Sequence, residues 1–452
     1  MKKIIVFFSV FFLITAIITG KKCREVIQKI DTISTENTTN ILIKEATTED
    51  KKKTGIKQLQ KVRIVIMSNN YTSIYHSSLT LKGDNLKVYY GKNFAKQKGC
   101  KKVSLDGDSS YFKNSDVVKI YGKTGITIQG HNTENGSPVY MGELYLYREQ
   151  SGMVVVNQVD MENYIAAVIS SEIGEESSLE ALKAQAVCAR NFIMKSNALK
   201  YEKYKANADD STDFQVYNRI KPGKNSKKAA EETKGVVMTY KNKLIKAYYF
   251  STSCGYTTDY KIWGKEKINY LKGENFTENS KRNVKNQWEF RKFIKKNVNG
   301  IESKYPFYRW RVYYTNEQLE NSIYNTTGVN VGNISRIEVN ERGAGGIASQ
   351  ITVYGDKRQI VMQNQNEIRK ALCSCYGKIK LCDDTTRAGM TMLPSAFILL
   401  EKEKGGYTIY GGGFGHGSGM SQNGAMEMAK SGKNYKDILK SYYHGIEIKN
   451  AN

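Results

Sequence analysis

The hydrophobic rhythm of the chain changes several times, and each change predicts a different kind of structure. Residues 4–20 are apolar throughout after Met1-Lys2-Lys3, and no charge interrupts them before Lys21. A run of that length sits at the short end of what crosses a bilayer, about 17–25 residues. No small-x-small cleavage site follows, so residues 1–22 are expected to be a retained signal anchor with the rest of the chain outside the cytoplasm. Periodicity then disappears over 23–61, where Thr-Glu-Asn-Thr-Thr-Asn and Thr-Thr-Glu-Asp-Lys-Lys-Lys read as a flexible stalk.

From Val62 the pattern shortens to β-type runs: Val62–Met67, Leu86–Tyr90, Val117–Tyr121, Ile126–Gln129, Leu144–Tyr147 and Val154–Val159. Asp106-Gly107-Asp108 and Asn135-Gly136-Ser137-Pro138 punctuate them, which predicts an all-β segment. Helical spacing takes over next. Asp160 is placed to cap a helix with Met161, Tyr164, Ile165, Val168 and Ile169 on one face. Ser177-Ser178-Leu179-Glu180 has capping-box spacing, and Leu179, Leu182, Ala186, Ala189 and Ile193 form the stripe that follows. Ala181 and Ala184 lie off that stripe, which predicts close neighbours all round this helix. Residues 235–264 return to strands, with Gly235–Tyr240 and Ile245–Phe250. A helical stretch covers Trp288–Asn297, and more strands fall in 332–362. Ser421 is placed to cap a helix through Lys430 with Gly432 as its stop, and Tyr435–Tyr443 makes another. The expected class is α+β: a β-rich part over 62–150, then a mixed catalytic domain over 151–449 with its helices clustered.

Charge narrows the partners. Sixty-nine Lys and Arg stand against 44 Asp and Glu, a net +25, and a field of that size concentrates polyanions. Nucleic acid would satisfy it but would leave the apolar leader unexplained. Seven cysteines, an odd number without a regular framework, argue against a disulfide scaffold. Cys373-Ser374-Cys375 with Cys382 has neither a nearby histidine nor usual zinc spacing, so no metal is expected there.

Candidate chemistry centres on Glu172. It follows Ser171 on a short turn before the small-residue helix, between Ile169 and Ile173, where apolar neighbours can raise a carboxyl pKa into the range of a proton donor. Glu162 and Glu180 fall in first helical turns, where a carboxylate favours the helix dipole; Glu175 and Glu176 read as solvated. Lys183 and Arg190 border the apolar stripe, and an inward charge must be paired, either within the fold or by a substrate anion. Six glycines between 411 and 419 let backbone approach a ligand closely. That run lacks the Lys-Ser/Thr ending of a phosphate loop, and Gly417-Ser418-Gly419 is not a nucleophile elbow.

Taken in order, Val155–Val168, Ser171-Glu172-Ile173, Leu179–Arg190, Tyr248–Thr257 with Trp263-Gly264, Gly413–Ala425 and Tyr435–Gly445 closely resemble the stage II sporulation protein D (SpoIID/LytB) family, from about Val62 to Ile448. The resemblance implies a membrane-anchored lytic transglycosylase without cofactor. It would cleave peptide-stripped MurNAc-GlcNAc strands of peptidoglycan to 1,6-anhydro-MurNAc ends, in sporulation or engulfment-type wall remodelling. Glu172 matches the family's catalytic acid, with Ile173 in place of its Met. His416, Ser421 and Gln422 match its most characteristic positions. Tyr249, Ser251, Thr252, Gln215, Tyr217 and Arg190 complete the expected substrate-binding set. The implied partners are the glycan strand, a cell-wall amidase and other anchored wall proteins. Phe250 and Cys254 stand where the family often has His and Gly. Asp213 and Phe214 stand in a segment that holds a Cys/His zinc site in some members, and no zinc is expected here. A stripped strand carries free lactyl carboxylates, so a basic groove would suit it. The competing reading is a non-catalytic wall-binding enhancer of an N-acetylmuramoyl-L-alanine amidase.

Overall fold

The computed structural model describes Ile56 and residues 59–451, apart from 132–135, 197–198, 264–265, 279–283, 285 and 297–298. The expected anchor and nearly all of the stalk lie outside the described residues. Among the described residues, no helix is long and apolar enough to cross a membrane.

The alternating runs after residue 60 do form strands. They build a ten-stranded sheet in the order Ala208–Asp209, Lys61–Ile66, Gly152–Asp160, Glu143–Glu149, Val117–Gly122, Ser78–Tyr90, Ile126–Ile128 and Val139–Tyr140, with Tyr75–His76 and Lys96–Asp106 paired off this path. Lys61–Ile66 lies antiparallel to Gly152–Asp160, with Ile64 opposite Asn157. Its other neighbour, Ala208–Asp209, is parallel. Asp160 ends the last long strand and starts helix α1 (Met161–Glu172): one carboxylate oxygen accepts the N–H groups of Glu162 at 3.0 Å and Asn163 at 3.4 Å.

Helix α2 (Leu179–Lys195) explains its own alanines. Leu182, Ala186, Ala189 and Ile193 pack into the core shared by α1 and the large sheet. Ala184, Val187 and Cys188 pack into a different core, with Met420, Ala425, Leu439 and Tyr442. Small side chains on both faces let α2 sit between the two. The expected capping box is absent: Ser178 is the N-cap but makes no side-chain capping bond. Glu180 instead accepts from Lys183 Nζ and from the Tyr435 N–H, both at 2.7 Å. A true capping box starts α5 (Asn316–Thr327), between Thr315 and Gln318.

Two further short helices, α3 (Lys224–Glu232) and α4 (Gln287–Lys295), precede α5, and α6 (Gln365–Ala371) follows it. α3, α5 and α6 were not expected from the sequence. Residues 310–411 hold a five-stranded sheet, ordered Thr386–Ala388, Lys378–Leu381, Trp310–Thr315, Gly406–Gly411 and Ile398–Glu403. A three-stranded sheet of Ile334–Arg342, Ala348–Gly355 and Gln359–Met362 matches the strands expected in 332–362. The expected strand Ile245–Phe250 survives only as Tyr249–Phe250. Helices α7 (Gln422–Lys430) and α8 (Tyr435–Tyr442) close the fold, and strand Glu447–Asn450 returns to pair with Val236–Tyr240. The class is mixed α+β and β-rich.

Candidate active site

Two residues of strand decide where the site forms. Tyr249–Phe250 runs parallel to Met420–Ser421, so segments about 170 residues apart lie side by side. Beyond them the glycine loop folds back, and Thr252 and Phe414 exchange backbone hydrogen bonds at 3.1 and 2.7 Å. The loop alternates: Gly413, Gly415, Gly417 and Gly419 all have positive φ, while Phe414, His416 and Ser418 between them do not. A Cβ on Gly419 would lie 2.0 Å from the Tyr248 carbonyl oxygen, and one on Gly415 would lie 2.7 Å from Phe250 Cβ. The glycine at every second position is therefore a backbone requirement.

These elements wall a cleft of about 830 Å³ with Glu172 in it. Glu172 is the last residue of α1, where the unmet carbonyls of a helix end disfavour a carboxylate. One oxygen, Oε1, accepts the Val216 N–H at 2.8 Å and lies 3.1 Å from the Tyr249 hydroxyl. The other, Oε2, has among the described residues only the Gln422 amide at 3.4 Å. Burial raises the Glu172 pKa and outweighs the bonds from Val216, Tyr249 and Gln422 and the charge of Arg219, all of which favour the anion. Tyr249 is also within 3.1 Å of the Gln215 amide oxygen, whose Nε2 reaches the Tyr164 hydroxyl at 3.1 Å. Burial and the nearby Glu172 push the Tyr249 phenol far above its ordinary value, so it remains a donor.

The opposite wall is aromatic. Trp263 lies 4.8 Å from both His416 and Tyr248, and Phe250 lies 5.6 Å from His416. His416 accepts the Ser418 N–H at Nδ1, 3.1 Å away, which leaves its proton on Nε2. Burial, with help from Arg369, lowers its pKa to about 3, so the ring is neutral. Phe250 packs against this ring as part of the wall, while Cys254 is wholly buried beneath the loop. Lys195 and Lys246 line the cleft against Glu172 and Asp213. Among the described lining residues two lysines face two carboxyl groups, one of which is Glu172 with its raised pKa.

Sequence comparison adds to this geometry. A family profile described as stage II sporulation protein matches residues 149–240, and a profile of a domain of unknown function matches residues 257–419. Stage II sporulation protein D of Bacillus amyloliquefaciens is 30% identical over 311 residues, covering 66% of this chain and 76% of its own length. The chain belongs to the stage II sporulation protein D family. An uncharacterized protein of Brachyspira hyodysenteriae is 30% identical over 340 residues, 74% of this chain and 79% of that one. The amidase enhancer of Bacillus subtilis is 27% identical over 315 residues, which are 63% of this chain but 40% of the enhancer.

In this family member, the cleft brings together Glu172, Tyr249, Ser251, His416 and Gln422. Gln215 stands behind Tyr249, buried. Four expected binding residues are elsewhere. Arg190 is fully buried, with Nη2 2.5 Å and Nε 3.2 Å from the two oxygens of Glu162, so its partner is internal. Tyr217 donates to Asn157 at 2.7 Å inside the first core. Thr252 accepts from the Asn423 amide at 2.8 Å, also buried. Ser421 is the buried N-cap of α7, and its hydroxyl donates to Glu302 at 2.7 Å. Glu175 is not solvated: it takes the N–H groups of Gly223, Asn225 and Ser226 and the Ser226 hydroxyl, and so caps α3 from outside. Lys183 pairs with Glu180 and Glu232, both at 2.7 Å.

Sequence reasoning missed Glu302 altogether. Its carboxyl is fully buried and accepts from the Ser253 N–H at 2.8 Å, the Ser253 hydroxyl at 2.5 Å and Ser421. It thereby clamps the end of the Tyr249–Phe250 strand to Ser421, the residue before Gln422. Burial pushes its pKa to about 7. The signal that could have found it is the pair of serines, one in each motif, needing a common acceptor.

Proposed function

We propose that this chain is a lytic transglycosylase that cuts peptide-stripped glycan strands of peptidoglycan, with Glu172 as its single acid and base. The observation that carries the reading is a carboxyl in a partly apolar cleft with one oxygen bonded and the other nearly free. Oε1 is held by Val216 and Tyr249, so the proton resides on Oε2. It passes to the glycosidic oxygen as the C1–O bond of the muramic acid breaks. The sugar's own C6 hydroxyl then attacks C1 and returns its proton to the carboxylate, closing a 1,6-anhydro ring. No water and no second carboxylate enter, unlike paired-carboxylate hydrolysis. The aromatic wall of Trp263, Tyr248 and Phe250 supplies apolar faces against which sugar rings can stack.

Under this reading residues 1–22 anchor the enzyme to the cell membrane, and the cleft works on the wall side during sporulation-type remodelling, beside an amidase that supplies stripped strands. The likeness to an amidase enhancer also supports a second reading, in which the chain binds wall and stimulates a partner amidase without cutting. Mass spectrometry of peptide-free glycan digested by the purified chain separates the two. Anhydro-ended fragments are expected. Reducing ends would make it a hydrolase, and no fragments at all would favour the enhancer.

Tyr249→Phe provides a finer test. Its hydroxyl favours the Glu172 anion, so its loss raises the pKa of the acid further. The protonated form is the active one, and activity falls as pH rises through that pKa. The alkaline limb of the rate profile is therefore expected to move to higher pH in the variant, with a loss of about 3–10-fold from misplacing the acid. An unmoved limb would disconnect Tyr249 from the acid.

A further inference from the structure

Behind the glycine loop lies a second hollow of about 280 Å³, lined by Lys295, Lys296, Arg309, Arg311 and Lys380 with a single carboxylate, Asp384. Two of these cations are already engaged: Lys380 with Asp384 at 2.7 Å and Lys295 with Glu401 at 2.8 Å. Among the described residues, the side chains of Lys296 and Arg311 make no hydrogen bond or ion pair. Arg309 is the unusual member. It is 8% exposed and lies between the rings of Phe293 and Tyr308, at 4.5 and 4.4 Å. Its Nη1 donates to the carbonyls of Cys254 and Tyr308 and its Nη2 to that of Phe293 at 3.5 Å, its Nε is buried with no acceptor, and among the described residues no carboxylate pairs with it. The buried Nε is closed to a ligand, but a guanidinium with no carboxylate partner among the described residues adds its charge to the hollow and favours the arrival of an anion there.

Helix α4 extends this surface. Trp288, Lys292 and Lys295 recur at helical spacing on one face, and they span about 10 Å. Trp288 is 63% exposed, with Lys292 Nζ 3.3 Å from its ring centroid. An exposed indole beside cations suits a polymer with apolar sugar faces and carboxylates. A polyol-phosphate chain would engage the cations but has no ring to stack. The hollow also backs onto the cleft: Trp310 Nε1 donates to the Gly413 carbonyl at 3.1 Å, next to Phe414, Gly415 and His416 of the cleft wall.

We propose that this hollow and the exposed face of α4 form a second, non-catalytic binding site for a carboxylate-bearing glycan strand. The choice of ligand rests on the substrate reading above. Two linked sites raise the affinity of a long strand but leave a short one, which fills only the cleft, unaffected.

The test measures binding in a Glu172→Gln background, so that nothing is cut. Peptide-free glycan is titrated as long strands and as a tetrasaccharide, at about 0.1 M salt. Adding Lys296→Glu and Arg311→Glu is expected to weaken long-strand binding about tenfold or more while the tetrasaccharide binds as before. Trp288→Ala is expected to weaken long strands by a smaller factor. All three positions are exposed, and unchanged melting curves would show the variants folded. Equal long-strand binding in parent and variant would overturn the site, and so would equal losses on both lengths. Tighter binding of poly(glycerol phosphate) than of glycan at this face would overturn the ligand. A chain that binds long strands through this face yet forms no anhydro ends retires the reaction and leaves the site standing.

Discussion

Glu172→Gln is expected to remove glycan cleavage, with a rate loss of about 10²–10⁴-fold, the range a positioned general acid contributes. The substitution is nearly isosteric, so its remaining oxygen can still accept from Val216 and Tyr249. What disappears is the proton on the freer oxygen. The fold has no reason to suffer, because burial disfavours the charged form that the variant abolishes. The melting temperature is therefore expected to hold or rise while anhydro-ended products vanish. In the wild type, activity should be greatest below the raised pKa of Glu172 and decline above it. A Gln variant that still cuts at a comparable rate would remove Glu172 from the mechanism.

Arg190→Ala should have the largest effect on stability, and little direct effect on chemistry. The guanidinium is fully buried and holds both oxygens of Glu162, while also donating to the Val236 carbonyl at 3.1 Å. Glu162 would be left buried, with the Gly235 N–H at 3.4 Å. Breaking a buried pair from one side costs about 3–5 kcal/mol, far more than an exposed pair such as Arg148–Asp116. Thermal or urea unfolding should show this loss, and Arg190→Met with Glu162→Gln should recover part of it. If Arg190 instead bound substrate, the variant would keep its stability and lose glycan affinity.

The placement of Arg190 shows where sequence reading stops. Helical spacing put it at the edge of an apolar stripe and required a partner, but Glu162 lies on another helix, 28 residues earlier. Ser421 fails similarly. Its position in a recognisable motif is the same whether its hydroxyl faces sugar or caps a buried helix onto Glu302. The strands of the large sheet and helices α1, α2, α7 and α8 were legible because their apolar periodicity runs for many residues or follows a capping residue. α3 was not, because Lys224–Glu232 buries only Ser226, Ala229 and Ala230 and has no long apolar face. The start of α5 was written as Thr315-x-x-Gln318 and overlooked. The parallel pair at Tyr249–Phe250 is two residues long, too short for any period to register, yet it aligns the cleft. Glu172 stood out in the sequence because a motif and an apolar setting coincided there, although it ends α1 and does not lie on the short turn expected of it. Its hydrogen-bond partners were dispersed along the chain and emerged only from the fold.

That dispersion has a consequence for timing. The Gln422 amide meets Glu172 across 250 residues of chain, and strand Glu447–Asn450 must pair with Val236–Tyr240. Contacts of such separation form late, because long loops must close first. On the proposed route across the membrane, the segment that follows the anchor emerges first and the last strand trails. A half-delivered molecule already displays Glu172, but it lacks the amide, the histidine and the glycine loop opposite it. Under the proposed function, cutting would begin only after the whole chain had reached the wall side, so the proposed activity would stay silent on the side where the chain is made.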